Sequence, residues 1–292
     1  MTSIIIVAAD SGPLLHDCVG RVLASDASLD VIVIDNASAD GVPEAIESAY
    51  AADPRLRTVR NVDNIGFGPA CNQGAAIAHG DVLVFLNPDC ELPTTFVRDA
   101  RACLDAHANI GLLGVTVCAP DGTPARGNRR RAPSLRRALA SVSGLARLES
   151  RWPALAGVEM PVYSDTPSAT ETVEAVSGAC MTLPRAVFER VGGFDEGYFL
   201  HAEDLDLCHR VRDVGLQVAI AHAIHVIHER GSSSRHRPVF VARHKHRGMW
   251  RYFCKFDPAA RQPLVRVLVW AGIWLHFGLL LPVLTLQKLR ST

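Results

Sequence analysis

The sequence contains eight cysteines but no C-x-x-C pair, so it lacks a common signature of zinc and redox sites. Cys18, Cys103 and Cys118 lie in apolar segments, which predicts reduced and buried thiols. The N-terminus shows no signal peptide, because no basic residue precedes the apolar run of residues 4–9, which ends at Asp10. These absences predict a cytoplasmic protein without a disulfide framework.

The sequence also lacks an excess of charge, with 30 Lys and Arg residues against 30 Asp and Glu residues. This balance gives no reason to expect nucleic acid as a partner. The positive charges are nevertheless clustered, and one cluster spans residues 230–251 with His236, His244 and His246 among them. The other comprises Arg126, Arg129, Arg130, Arg131, Arg136 and Arg137. Either cluster could meet phosphates or an anionic membrane surface, although such faces are usually just solvated.

Two nucleotide-binding motifs are missing. No G-x-G-x-x-G follows the first predicted strand, and no G-x-x-x-x-G-K-[ST] occurs, which disfavours dinucleotide-binding and P-loop proteins. Residues 6–13 contain neither Lys nor Arg. A nucleotidyltransferase, which would need a basic residue there to meet a triphosphate, is therefore disfavoured as well.

The sequence does contain an alternation of apolar strand-like runs with helix-like segments. In the first half the runs are residues 3–8, 31–34, 56–60, 82–86 and 110–117. In the second half, strands at 173–177, 180–183 and 217–227 accompany helices at 185–191 and 203–214. Alternation with apolar strands predicts an α/β protein with a doubly wound, mostly parallel sheet.

The run of residues 82–86 stops at Asn87-Pro88-Asp89. Pro88 has no N–H to donate, so the chain leaves the sheet there. Asn87 and Asp89 are two residues apart and can point the same way. Open α/β sheets bind ligands at the carboxyl ends of their strands, where Asp10 and Asp35 also lie. Asp89 is therefore a candidate ligand-binding residue, with a plain polar turn as the alternative.

Further candidates follow other predicted strands. Asp35 could accept a hydrogen bond from a pyrimidine ring or a ribose hydroxyl, or could simply cap a helix. A Gly/Asn-rich helix start could bring backbone N–H groups and side-chain amides to a phosphorylated ligand, or form an ordinary turn. This helix start contains Asn61, Asn64, Gly66, Phe67, Gly68 and Asn72.

The second half adds acidic residues and histidines. Glu203, Asp204 and Asp206 begin a predicted helix, where they could cap it or provide a general base. In a regular strand His222 and His228 would share a face, with His225 on the opposite one. His228, where the strand ends, is the best candidate metal ligand of the three, although a single histidine is more often structural.

Taken in order, these segments strongly resemble glycosyltransferase family 2 enzymes of the GT-A fold, and among them the bacterial rhamnosyltransferase-like group. The resemblance covers residues 2–255 and adds the segments 177–180, 192–196, 199–208 and 225–228. It implies a Rossmann-like sheet and an inverting sugar transfer from a nucleoside diphosphate sugar to an acceptor hydroxyl.

The resemblance also implies roles for individual residues. Asp35 and Asn64 would contact the nucleotide. We also predict that Gly66 and Asn72, from the helix start, and Asn87, through its amide, bind the nucleotide sugar. Asp89, at the last position of the D-x-D site, would hold Mg²⁺ or Mn²⁺ together with His228, and Asp204 would be the catalytic base. The chain departs from the family pattern in having Ala8-Ala9-Asp10 after the first strand and Asn87 at the first D-x-D position.

The C-terminal segment differs in kind from the rest. Residues 267–286 carry no formal charge and approach the length needed to span a bilayer, although His276, Gly272 and Pro282 interrupt the run. Trp270, Trp274, Phe277 and Leu281 would share one helix face, as in an interfacial membrane helix. A helix packed on the main domain or on a second subunit is the alternative.

We therefore predict a GT-A domain at residues 1–255 and a membrane-associating tail at residues 256–292. Residues 1–120 would form the nucleotide-binding half and residues 121–255 the acceptor-binding half. The predicted reaction transfers rhamnose from a dTDP donor to a glycan or lipid-linked glycan acceptor at the inner membrane face, for cell-surface polysaccharide. A homodimer is possible, and a non-catalytic nucleotide-sugar-binding or scaffold protein is the alternative function.

Overall fold

The computed structural model describes residues 1–25, 28–161, 169–229 and 237–290, with side chains described as far as residue 286. The strands are β1 (Thr2–Ala8), β2 (Leu29–Asp35), β3 (Leu56–Arg60), β4 (Val82–Leu86), β5 (Cys90–Glu91), β6 (Ile110–Cys118), β7 (Arg129–Arg130), β8 (Thr170–Val173), β9 (Ala175–Val176), β10 (Cys180–Pro184) and β11 (Gln217–His228). The helices are α1 (Pro13–Ser25), α2 (Val42–Ala49), α3 (Phe67–Ile77), α4 (Phe96–Ala106), α5 (Leu135–Val142), α6 (Arg185–Arg190), α7 (Glu203–Asp213), α8 (Pro238–Phe256) and α9 (Pro263–Arg290).

Nine of these strands form the central sheet, in the order β3-β2-β1-β4-β10-β6-β11-β5 with β8 paired to β11. The strands from β3 to β4 are parallel, β10 is antiparallel to both of its neighbours, and β11 is parallel to β6. Apolar side chains fill both faces, with α1 and α4 on one side and α3, α6 and α7 on the other. The predicted α/β class and mostly parallel sheet are confirmed. Because β10 and β11 belong to the second half, the two predicted halves share one sheet.

The ends of β1 and β4 define the crevice of this sheet. Strand β1 pairs with β2 on one side and with β4 on the other, so the strand order reverses at β1. Such a reversal of strand order opens a crevice at the carboxyl ends of the strands, where open α/β sheets bind ligands. As predicted, β4 ends at Leu86, immediately before Asn87-Pro88-Asp89.

Helix α8 was missed by the sequence analysis, which treated residues 230–251 as a basic cluster. Arg230 and His236 of that cluster lie outside the described residues. Tyr252 and Phe253 are buried on the inner side of α8, while its charged residues hid the helical spacing of the apolar ones. Gly248 allows a close approach, since a Cβ there would lie 2.5 Å from the carbonyl oxygen of His201.

Helix α9 packs against α8 and continues through Gly272 and Pro282. Among the described residues, its Pro263–Leu286 segment is the one helical stretch long and apolar enough to cross a membrane, judged by length and composition. No residue of the segment is buried.

The cysteines agree with the sequence prediction except at Cys103, which was expected to be buried and is half-buried. All eight lie in the described part of the chain and are free thiols, and six of them are buried. Among these six, Cys18 and Cys180 lie against the sheet in its apolar interior. They therefore contribute to packing, as small apolar side chains do.

Candidate active site

A cleft of about 290 Å³ lies at the carboxyl ends of β1 and β4. Both halves of the chain contribute to its walls. The polar residues that line it are Asp10, Asn36, Asn64, Asn87, Asp89, His201, His228 and Arg237. Phe67, Phe199 and Phe240 add aromatic surface. A polar rim beside aromatic faces suits a ligand with both charged and ring-shaped parts.

Asp89 and His228 meet in this cleft because the short strand β5 pairs with the end of β11. This pairing sets His228 opposite Cys90, directly beside Asp89. The Nε2 atom of His228 lies 3.0 Å from Oδ1 of Asp89, and Nδ2 of Asn87 lies 3.4 Å from the same ring nitrogen. The structure thus brings Asn87 and Asp89, at the end of β4, together with His228, at the end of β11.

Asp89, Cys90 and His228 form a cluster whose ligand atoms lie within 4.8 Å of one another. Burial raises the pKa of the Cys90 thiol well above its usual range, and its Sγ contacts the carbonyl oxygen of Ala179 at 3.5 Å. A thiol suits softer metals and is a poor ligand for hard cations such as Mg²⁺. A carboxylate and an imidazole remain, and an oxygen-rich site completed by a diphosphate would suit Mg²⁺ or Mn²⁺.

Asp204 lies at the start of α7 and is buried. Its Oδ2 atom is 2.5 Å from Nη2 of Arg130 and accepts from the Gly178 N–H at 3.2 Å, while Oδ1 accepts from the Leu205 N–H at 2.8 Å. Burial alone would raise the pKa of Asp204, but the Arg130 guanidinium outweighs it and holds that pKa below its usual value. Asp204 is therefore an ionised carboxylate at neutral pH.

One turn connects Asp204 to the metal-ligand candidates. The Asn87 N–H donates to the carbonyl oxygen of Ala179 at 2.9 Å, and the preceding residue, Gly178, donates its N–H to Asp204. A Cβ at Gly178 would lie 3.1 Å from the Cβ of Asp204, so glycine allows this close approach. The candidate base and the segment Asn87-Pro88-Asp89 thus contact adjacent residues of a single turn.

The two acidic neighbours of Asp204 are used differently. Asp206 is fully buried and pairs with Arg210 at 2.5 Å and with Lys255 at 2.6 Å. The Oε2 atom of Glu203 is buried without a hydrogen-bond partner among the described residues. Burial, reinforced by the Asp204 charge, raises the pKa of Glu203 to about 8. Of the three acids that the sequence offered, Asp204 is the one held ionised beside the turn that contacts Asn87.

The backbone before α7 is strained. His201 and Ala202 have φ values of 68° and 73°, in the left-handed region that non-glycine residues rarely adopt. Packing of α8 at Gly248 against the His201 carbonyl holds this turn in place. The turn sets His201 in the cleft wall and aims the first residues of α7 toward Gly178.

The predicted nucleotide-binding residues are placed unequally. Asn64 is exposed on the cleft wall, where its Oδ1 accepts from the Gly66 N–H at 3.0 Å. Gly66 has a φ of 95°, and a Cβ there would lie 2.8 Å from the carbonyl oxygen of Phe199. Asp35 is buried behind the cleft and accepts from the Ser38 N–H at 2.9 Å, whereas the next residue, Asn36, lines the cleft.

Asn72 does not reach this cleft. Its Oδ1 accepts from the Phe194 N–H at 2.8 Å, and its Nδ2 donates to the Phe194 carbonyl oxygen at 2.9 Å. The side chain thus joins α3 to the loop after α6. In the structure, Asn72 therefore holds this loop against α3, and its role in nucleotide binding stays a prediction.

The histidines of β11 do not follow the alternation predicted for a regular strand. A register shift between Ala221 and His225 interrupts the pairing with β6. His222 and His225 therefore line a different cavity, and His222 pairs with Glu171 at 3.0 Å. Because of this irregularity, the expectation that His222 shares a face with His228 is wrong, while His228 itself reaches the cleft.

Two further charged residues lie in the cleft: Asp10, which the sequence placed at this sheet edge without a specific role, and Arg237. Asp10, with a φ of 53°, accepts from the Ala39 N–H at 2.8 Å and so joins the loops after β1 and β2. Arg237 lies 3.3 Å from Asp10 and leaves 62% of its side chain exposed. The basic cluster was the signal for Arg237, because such residues can meet phosphates.

The sequence model of the family described as glycosyl transferase family 2 matches residues 3–189, more than half of the chain. The chain belongs to glycosyltransferase family 2. A model of glycosyl transferase family 21 also matches, at residues 145–247. The protein is thus a glycosyltransferase, and the predicted enzyme class is confirmed.

The relatives of this glycosyltransferase include rhamnosyltransferases. The N-acetylglucosaminyl-diphospho-decaprenol L-rhamnosyltransferase of Mycobacterium tuberculosis is 28% identical over 271 residues, covering 85% of this chain and 86% of that protein. Rhamnosyltransferase WbbL of Escherichia coli is 40% identical over 67 residues, covering 23% of this chain and 24% of that protein. The predicted rhamnosyltransferase-like group is confirmed.

Solved structures share the fold. The mannosyltransferase PcManGT from Pyrobaculum calidifontis, in complex with GDP-Man and Mn²⁺, has a TM-score of 0.58 and 19% identity, covering 98% of this chain and 73% of that chain. GalNAc-T7 with UDP, GalNAc and Mn²⁺ has a TM-score of 0.56 and 15% identity, covering 78% of this chain and 43% of that chain. At such identities the likeness shows the GT-A type of fold alone.

Proposed function

We propose that this glycosyltransferase carries out an inverting, metal-dependent transfer of a sugar from a nucleoside diphosphate donor to a hydroxyl of a lipid-linked glycan. The observation that carries this proposal is the placement of Asp89 and His228 beside the turn that also contacts Asp204. This placement would provide metal ligands in the cleft and a base on the adjoining turn. PcManGT, in complex with GDP-Man and Mn²⁺, and GalNAc-T7, with UDP, GalNAc and Mn²⁺, support the same function.

Asp89 and His228 would hold the divalent ion, Mg²⁺ or Mn²⁺. When bound, such an ion neutralises the charge that develops on the leaving diphosphate. Arg237 would add a positive charge at the cleft rim, where 62% of its side chain is exposed. Asn87, within 3.4 Å of His228, would contact ribose or phosphate through its amide group.

Asp204 would accept the proton of the acceptor hydroxyl as that oxygen attacks the anomeric carbon. Attack from the face opposite the diphosphate inverts the anomeric configuration in one displacement. Arg130 keeps Asp204 ionised and fixes Oδ2, while the Leu205 N–H fixes Oδ1. Arg130 is therefore a positioning residue for the base.

The donor would lie along the nucleotide-binding half of the cleft. Asn64 offers an amide group on its wall, whereas the buried amide of Asn36 donates to the Gly66 carbonyl oxygen and accepts from Asn61. Asp35 supports the loop that carries Asn36. Gly66 brings α3 close to Phe199, so that the two halves of the wall meet. We retain Asn72 as a nucleotide-binding prediction that would require it to leave its contacts with Phe194.

The choice of substrates rests on relatives. The Mycobacterium tuberculosis relative is named for transfer of L-rhamnose to a diphospho-decaprenol-linked sugar, which supports rhamnose and a lipid-linked acceptor. The dTDP donor is part of the proposal. Helix α9, apolar and unburied, would hold the enzyme at the inner membrane face during cell-surface polysaccharide synthesis. A homodimer stays a prediction.

The test is donor binding measured as a thermal shift with dTDP-rhamnose, with and without Mn²⁺. Asp89→Ala should abolish the Mn²⁺-dependent part of the shift, whereas Asn87→Ala should only weaken it. The matched control is Asp121→Ala, which removes an exposed carboxylate that does not line the cleft and should leave the Mn²⁺-dependent shift unchanged. An undiminished Mn²⁺ effect in Asp89→Ala would remove Asp89 from the metal site.

A further inference from the structure

An apolar groove of about 510 Å³ lies between α5, α8 and α9. Leu135, Leu139 and Val142 of α5 face Val265, Leu268 and Ile273 of α9 across it. Leu139 and Leu268 are each 61% exposed, so the walls are apolar surface left open. Leaving such a continuous apolar surface in water is unfavourable, which points to an occupant made of hydrocarbon.

The position of the groove limits what that occupant can be. Its floor includes Ala202 and Leu205, the residues that bracket Glu203 and Asp204 at the start of α7. The groove therefore reaches the first turn of α7, which carries the candidate base. One whole side of the groove is α9, the helix with the length and composition of a membrane segment.

A ligand that fits these two features has a sugar hydroxyl for Asp204 and a long apolar chain. We propose that the groove between α5, α8 and α9 binds the isoprenoid chain of a lipid-linked acceptor and guides its sugar to Asp204. This inference rests on the lipid-linked acceptor of the proposed function. It assigns α5 and α9 to acceptor recognition, in addition to any membrane contact made by α9.

Helix α9 offers a matched pair of positions to test this. A Cβ at Gly272 or at Gly278 would meet nothing within 4 Å, so both positions tolerate a side chain. Gly272 lines the groove and Gly278 does not. Gly272→Trp should therefore fill the groove, whereas Gly278→Trp adds the same side chain to the same helix outside it.

The full chain in lipid nanodiscs would be assayed with two acceptors, a sugar diphosphate on a long isoprenoid chain and the same head group on a short soluble chain. We expect Gly272→Trp to raise KM at least tenfold for the long-chain acceptor and less than twofold for the short one. Gly278→Trp should change neither KM. Equal effects of the two variants, equal effects on the two acceptors, or a change of oligomeric state in Gly272→Trp alone would overturn the proposal.

A direct binding measurement separates this inference from the proposed reaction. A diazirine-bearing farnesyl diphosphate would be photocrosslinked to the wild-type chain and the sites mapped by mass spectrometry. Crosslinks on residues 135–142 and on the groove side of α9 support the groove, even if no sugar is transferred to either acceptor. Crosslinks spread evenly over exposed positions of α9 such as Leu275 and Leu279 would contradict it.

Discussion

The substitution Asp204→Asn would remove the charge of the candidate base while keeping the size of its side chain. The side chains of Asp204 and Arg130 are only 12% and 17% exposed, so the substitution leaves a buried cation without its partner. Breaking a buried ion pair in this way costs about 3–5 kcal/mol. For a chain of this length we expect Tm to fall by roughly 10 °C.

The rate of sugar transfer should fall for a different reason, the loss of the base. Loss of a general base lowers the rate by about 10²–10⁴-fold, and asparagine cannot take the acceptor proton. Donor binding should persist, because the donor contacts proposed above do not include Asp204. The assay is sugar transfer with both substrates saturating, at a temperature well below the Tm of the variant, with donor binding measured in parallel.

A second substitution separates stability from chemistry. Arg130→Met in the Asp204→Asn background removes the unpaired cation and should recover much of the lost Tm, because an apolar side chain suits this buried position. It should not recover transfer. If the double variant regains activity along with stability, or if Asp204→Asn alone keeps transfer within tenfold of the wild type, Asp204 is not the base.

Three further outcomes are expected. Because the folded chain holds the Glu203 proton up to a pKa of about 8 while the unfolded chain releases it near 4.5, stability should fall as pH rises between these values. Glu203→Gln should flatten this dependence in Tm measurements, and an unchanged slope would contradict it. Gly66→Ala should cost more than about 2 kcal/mol in chemical denaturation, and Gly12→Ala, also at positive φ but in open space, about 1 kcal/mol. Removal of residues 263–292 should abolish flotation with anionic vesicles, and a full-length chain that stays in the soluble fraction would refute the membrane role of α9.

Local patterns carried much of the fold prediction. Each apolar run is long enough to be recognised by itself, so β1, β2, β3, β4 and β6 were placed within two residues of their observed ends. Pro88 ends β4 by chemistry that depends on no distant contact. The family resemblance rests on such short segments in order, which explains why the enzyme class could be recognised from sequence.

These local patterns could not predict contacts between residues that lie far apart in the sequence. The pairing of β5 with β11 brings Asn87 next to His228, which is 141 residues away in the sequence. Strand β7 brings Arg130 into contact with Asp204, which is 74 residues away. Helix α8 escaped notice because its packing on the turn at His201, rather than its own composition, determines which residues it buries. The bulge in β11 likewise results from strand pairing, which no regular alternation predicts.

The sequence by itself determined the alternation of strands and helices, the acidic ends of β1, β2 and β4, and membership of the family. The tertiary structure decided which of the acids can act. The sequence does not distinguish Asp204 from its neighbours Glu203 and Asp206. In the structure, Arg130 keeps Asp204 ionised at the Gly178 turn, whereas Lys255 holds Asp206 in an ion pair. The physical reason is that the charge state of a buried carboxyl depends on the groups that packing brings to it, and these lie far away in the chain.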